Sequence, residues 1–113
     1  MGADRTNDMD LANELVWFLE ATREDNRISP VHISLFMAIV QQWSKNDFHN
    51  PVFVSANELM YLSKISGRAT YYKSLKELNE YGYIHYKPSH NSLKGSFIYL
   101  MGCENIQHGY ERI

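Results

Sequence analysis

Cysteine is almost absent from this chain: Cys103 stands alone among 113 residues. A single thiol closes no internal disulfide, so packing must hold the fold, and a reducing, cytoplasmic setting is expected. Proline is nearly as scarce, confined to positions 30, 51 and 88, which leaves long stretches free to form helix. No apolar run approaches the roughly 18–20 residues that span a bilayer, so no membrane partner is expected. The opening M-G-A-D-R-T-N-D-M-D is too polar and acidic for a secretory signal. Also missing are a phosphate-cradling glycine loop, a G-x-S-x-G elbow and any pairing of acids suited to acid–base work. His85, His90, Cys103 and His108 lack the tight spacing of a zinc site. Cys103 has neither a helix start nor a basic neighbour to activate it. These absences predict a binding domain with no cofactor and no metal, not an enzyme.

What remains is ordinary globular material, 44% hydrophobic and 21% charged, enough for one modest core. The net charge of −2 does not by itself favour a polyanion, but its distribution is uneven. Residues 1–28 carry seven acids against three bases, whereas residues 60–95 carry six bases against two acids. A basic segment joined to an acidic end suits local phosphate binding.

Residues 8–23 place Leu11, Leu15, Phe18 and Leu19 on one face, widened by Ala12 and Val16, and predict an amphipathic helix. Asn7 is its expected cap, with Asp8 and Asp10 in the first turn. Ser29-Pro30 starts a second helix that runs through Val31, Leu35, Phe36, Ile39, Val40 and Trp43 to about Lys45-Asn46. It is apolar on more than one face and should be the most buried. Val52–Val54 predicts a short strand. Ser55 and Glu58 form a capping-box pair for a helix of about 56–63, with Leu59 and Leu62 inward. Ser63–Gly67 is the turn, with Ile65 as its apolar plug and Ser66 as the next cap. A longer helix of about 67–81 should bury Tyr71, Leu75 and Leu78 and expose Ala69, Lys73, Lys76 and Glu80. Gly82 ends it. Tyr83–Lys87 and Phe97–Met101 then predict a β-hairpin.

The segment V-S-A-N-E-L…S-K-I-S-G-R-A-T-Y-Y-K-S-L-K-E-L-N-E-Y-G-Y-I resembles bacterial winged helix-turn-helix regulators. Leu59, Ile65-Ser66, Thr70-Tyr71, Ser74-Leu75, Leu78, Gly82 and Ile84 match the family's pattern. Ser66 and Thr70 are four apart where the usual spacing is three. With the preceding S-P-V-H-I-S-L-F-M-A-I-V-Q-Q-W, the likeness extends over residues 28–101 and to small replication-initiator-like or regulatory proteins of mobile elements. It implies a mainly α fold with a small β-hairpin, a winged helix-turn-helix preceded by the N-terminal amphipathic helix. Residues 1–27 form that helix and a candidate dimer seam, and residues 102–113 a loosely held tail.

The resemblance also implies double-stranded DNA as partner and transcriptional or replication control as role. The helix of 67–81, third of the winged unit, would enter the major groove. Arg68 in its first turn is suited to guanine, and Lys73 lies a turn further on. Thr70 and Tyr72 are candidates for phosphate or thymine-methyl contact. Lys64, Ser66 and Lys76 would face phosphates, as would Lys87, Asn91 and Lys94 of the wing. The clustered tyrosines could stack bases, but their inward spacing favours structural roles, with Tyr72 the main exception. A homodimer is expected because one recognition helix reads few base pairs. The alternative is a winged-helix protein–protein docking module without DNA binding.

Overall fold

The computed structural model describes residues 2–89 and 95–102, with side chains from Met9 onward. Asn91, Lys94, His90, Cys103 and His108 therefore lie outside the described residues, as does nearly all of the expected tail. In chain order the elements are α1 (Gly2–Thr22), α2 (Pro30–Lys45), β1 (Val52–Val54), α3 (Ala56–Ser63), α4 (Arg68–Glu80), β2 (Ile84–Pro88) and β3 (Ser96–Leu100). The fold is mainly helical with a small antiparallel sheet. That sheet has three strands rather than two, in the order β1-β3-β2. Val52 pairs with Ile98 and Phe53 with Phe97, while Ile84 pairs with Leu100 and Lys87 with Phe97. The strand predicted at Val52–Val54 thus closes the outer side of the hairpin, a long-range pairing that local pattern does not encode. No helix among the described residues is long and apolar enough to cross a membrane.

α2 is the buried helix expected. Ser29 caps it, Pro30 occupies its first turn, and Leu35, Phe36, Ala38, Ile39, Val40 and Trp43 are buried. Around it the core gathers Phe18 from α1, Leu59 from α3, Leu75 and Leu78 from α4, and Ile84, Ile98 and Leu100 from the sheet. The Phe18 ring stacks on Phe36 at 3.7 Å between centroids. Deleting such a buried side chain costs about 3–5 kcal/mol.

α1 departs from expectation in three ways. It begins at Gly2, so Asn7 lies inside it and is not its cap; no proline stands in residues 2–7 to stop the helix earlier. Leu19, expected inward, is 57% exposed, because the inward stripe runs through Glu14 and Phe18. Glu14 is fully buried, and its carboxylate accepts the Gly102 N–H at 3.0 Å. A side chain at 102 would meet that carboxylate: a Cβ there would lie 2.7 Å from it. Buried carboxylates persist only when hydrogen-bonded in this manner.

A polar knot fixes the turn after α1 to the start of the sheet. Asp25 accepts the Tyr83 hydroxyl at 2.5 Å and two guanidinium N–H groups of Arg27 at 2.8 Å. The Arg27 guanidinium also lies 4.0 Å over the Tyr81 ring. The Arg27 bonds, then the Tyr83 bond, hold the Asp25 carboxyl well below the usual carboxylate range. Burial and the Asp25 bond push the Tyr83 hydroxyl up to about 12. A depressed folded-state value means that the stabilisation is complete above the unfolded value of about 3.9 and fades as pH falls through the folded one. Asp25→Asn is therefore expected to lower the thermal midpoint at pH 7. The gap to wild type should narrow on acidification below about pH 4. Melting curves of both proteins between pH 7 and pH 2 check this, and a gap that stays constant removes the charge from the account.

Candidate nucleic-acid interface

The turn between α3 and α4 is built from local signals. Ser55 caps α3 by accepting the Glu58 N–H. The expected return bond from Glu58 is replaced, because its carboxylate accepts from Gln42 Nε2 at 2.7 Å. α3 ends at Lys64, which takes the left-handed conformation at φ 65° and donates its N–H to Met60. Ile65 is buried as the plug, and Ser34 Oγ donates to the Ser63 carbonyl. α4 is capped by the extended Gly67, not by Ser66, and no side chain contributes a capping bond. Ser66 instead lies exposed in the turn. With the cap at Gly67, Thr70 falls three residues after the cap.

α4 is sharply two-sided. Tyr71, Ser74, Leu75 and Leu78 are buried, while Arg68, Ala69, Thr70, Lys73, Lys76 and Glu80 are exposed. Burial raises the Tyr71 hydroxyl well above its ordinary value, so that group stays neutral. Tyr72 is half-buried, its ring edge-on to Tyr71 at 4.9 Å. Gly82 ends the segment with φ +88°, a value that favours glycine.

The expected contact residues divide by location. Arg68, Thr70, Tyr72, Lys73 and Lys76 share α4. Lys64 and Ser66 flank it in the turn, and the Lys64 ammonium lies 4.9 Å over the Tyr61 ring. Lys87 stands on β2, exposed, in register with Phe97. Among the described residues no ion pair engages Lys64, Lys73, Lys76 or Lys87. Arg68 is tethered: its Nη2 donates to Asn57 Oδ1 at 2.5 Å. The two line a hollow of about 420 Å³ with Ser55, Tyr72, Gly95 and Ser96. Asn57 was not anticipated from the sequence, since its partner is eleven residues away across a turn.

The roll of α4 is set by His32. Its Nδ1 accepts the Ser29 N–H at 2.9 Å, completing a capping box on α2. Its Nε2 lies 2.9 Å from Glu77 Oε1. An accepting Nδ1 leaves the ring proton on Nε2, which donates to the carboxylate. The His32 side chain is 6% exposed and that of Glu77 26%, so this bond is sheltered.

No family profile, curated protein or solved structure matches the chain.

Glu77→Ala leaves the buried Nε2–H without its acceptor and is expected to destabilise the fold by about 1–3 kcal/mol. Glu77→Gln keeps an acceptor oxygen and should lose less than half of that. Urea unfolding of the two variants and wild type measures both, and equal losses would show that α4 is not held through this bond.

Proposed function

We propose that this chain is a winged helix-turn-helix protein that binds double-stranded DNA through α4. Its proposed role is transcriptional control or replication control of a mobile element. The observation that carries the reading is the outer face of α4, where Arg68, Thr70, Lys73 and Lys76 stand exposed on a helix whose other face is buried. A 13-residue helix is about 20 Å long, and the major groove is about 12 Å wide, which admits it. The order of elements supports the same reading: three helices, α2 to α4, beside a sheet whose β2–β3 hairpin follows the proposed recognition helix.

Roles divide by chemistry. Arg68 sits at the first position of α4, where a guanidinium can pair two ways with guanine once it leaves Asn57. Lys73 and Lys76 supply phosphate charge, and Lys64 and Ser66 border the same side. Lys87 on β2 extends the phosphate contacts, and Asn91 and Lys94, outside the described residues, are proposed to add to them. Each phosphate neutralised releases counterions, so affinity should fall steeply with salt.

A homodimer fits the exposed stripe on α1. Met9 is 64% exposed, Val16 and Leu19 57% each, and Ala12 completes a 9, 12, 16, 19 spacing that runs as the seam of a helix pair. Two copies would double the number of bases read.

Binding to labelled duplex from around the protein's own gene, across a salt series, tests the reading. Arg68→Ala is expected to cost about 1–3 kcal/mol on the preferred site and to relax its specificity. Lys73→Ala should weaken all sequences alike and reduce the salt slope by about one. A folded protein that binds no duplex at low salt, or a double variant that binds at full strength, overturns it. Val16→Glu with Leu19→Glu should turn a dimer into a monomer in sedimentation without unfolding it, since both side chains are exposed. A wild-type protein that sediments as a monomer removes the seam.

A further inference from the structure

The side of the sheet turned away from the core carries an aromatic cluster that DNA reading by α4 does not use. In each strand the residues alternate, with Val52, Val54, Ile84, Ile98 and Leu100 buried. The opposite face presents Phe53 at 49% exposure, Phe97 at 37%, the half-buried Tyr99 and the exposed His85 and Lys87. Register places Phe53, Phe97 and Lys87 side by side across the strands, with Tyr99 beside His85 in the next row. Phe53 and Phe97 meet at 5.1 Å with a 61° tilt, and Tyr99 and His85 at 5.5 Å.

Scattered exposed apolar residues need no explanation, but contiguous ones mark an interaction surface. Two features decide what it takes. One is charge. A hollow of about 560 Å³ along this face is lined by Lys87, Phe97 and Tyr99 with Pro51, Pro88 and Ser89, and a separate one of about 220 Å³ is lined by Phe53 and Val52 of β1 with Gln42, Lys45 and Asn46. Every charged side chain lining the two is basic. Asp47, the acid of the loop leading into β1, lines neither. The other is spacing. Phe97 and Tyr99 are two apart on one strand, so their side chains project about 7 Å from each other on the same face. Aromatic rings on an open sheet, bordered by lysine, form the surface on which unpaired bases stack while the cations follow the phosphates.

We propose that the outer face of the β1-β3-β2 sheet is a second nucleic-acid site, one that binds single-stranded nucleic acid by stacking bases on Phe97, Tyr99 and Phe53 with Lys87 and Lys45 on the backbone. A duplex cannot use it, because paired bases keep their faces within the stack. The site shares Lys87 with the α4 reading but rests on aromatic residues of its own, and it survives that reading's failure.

Fluorescence anisotropy with the full chain tests it, using labelled oligothymidylate, oligouridylate, an abasic oligonucleotide of equal length, and duplex. Wild type should bind the oligothymidylate or the oligouridylate, and the stronger of the two arms names the natural strand. The abasic strand, with the same phosphates and no rings to stack, should bind far more weakly. Phe97→Leu keeps an apolar strand residue while removing the π-face, and should weaken single-strand binding about tenfold or more. The same variant should leave duplex binding unchanged, and Lys73→Ala should do the reverse. Circular dichroism confirms that each variant is folded. Absence of single-strand binding by wild type at low salt overturns the proposal. So does equal binding of the abasic strand, or full single-strand affinity in Phe97→Leu with Phe53→Leu. The face would then be a docking surface for protein.

Discussion

The rest of the structure depends on how α4 is rolled about its own axis. A helix can bury only one stripe, and here the stripe is Tyr71, Leu75 and Leu78, each no more than 2% exposed. Apolar packing alone tolerates some rotation, since it has no direction. The bond from His32 to Glu77 does have direction, and it joins the α2 start to the last turn of α4 at a sheltered site. Because the same imidazole also accepts from Ser29, its ring cannot turn without breaking one half of the capping box on α2. The orientation of the basic outer face is thus fixed from within by one side chain with both nitrogens engaged. From the far end of α4, Asn79 Oδ1 accepts the Tyr86 N–H at 2.9 Å, and Tyr83 donates its N–H to Leu78. The helix and the sheet that follows it are therefore placed as one unit.

Local signals in the chain were legible where a residue acts on its immediate neighbours. Ser29 with Pro30, Ser55 and Gly82 each mark a helix end by capping or φ preference, and each stands where the pattern puts it. The periodicity of Tyr71, Leu75 and Leu78 located the buried face of α4 for the same reason. What escaped is non-local. The pairing of β1 with β3, the Arg68–Asn57 bond, the burial of Glu14 against Gly102 and the engagement of His32 all join residues far apart in sequence. A histidine on an apolar helix and a glutamate in an acidic one give no hint of their partners. Ser66 was misassigned for a subtler reason: serine is the better cap, but the chain reaches helical geometry one residue later, and the extended Gly67 takes the cap position without a side-chain bond.

The candidate site was legible to a lesser degree. Exposure of Arg68, Thr70, Lys73 and Lys76 follows directly from the helical period once the buried stripe is known. The sheet face does not follow, because Phe53 and Phe97 in isolation look like core. Strand alternation alone would assign Phe97 outward only relative to Ile98, and both are apolar. Only the three-stranded register, which sets Lys87 beside Phe97 and Phe97 beside Phe53, turns two phenylalanines and a tyrosine into one exposed surface.

Both surfaces meet at Gly95. It lines the hollow beside Arg68, and the Phe53 ring lies across it, so that an added Cβ would fall 2.8 Å from the ring and 2.4 Å from the Val54 carbonyl oxygen. Its φ of +147° adds a backbone conformation that other residues rarely adopt. A side chain there would push β3 away from β1 and lift Phe53 from its place, disturbing the aromatic face and the Arg68 hollow together. One glycine thus lets the basic helix end and the aromatic sheet face lie side by side. The side chains lining the hollow are Ser55, Ala56, Asn57, Arg68, Tyr71, Tyr72 and Ser96, none of them acidic. Seven of the chain's thirteen acids lie instead in residues 1–28.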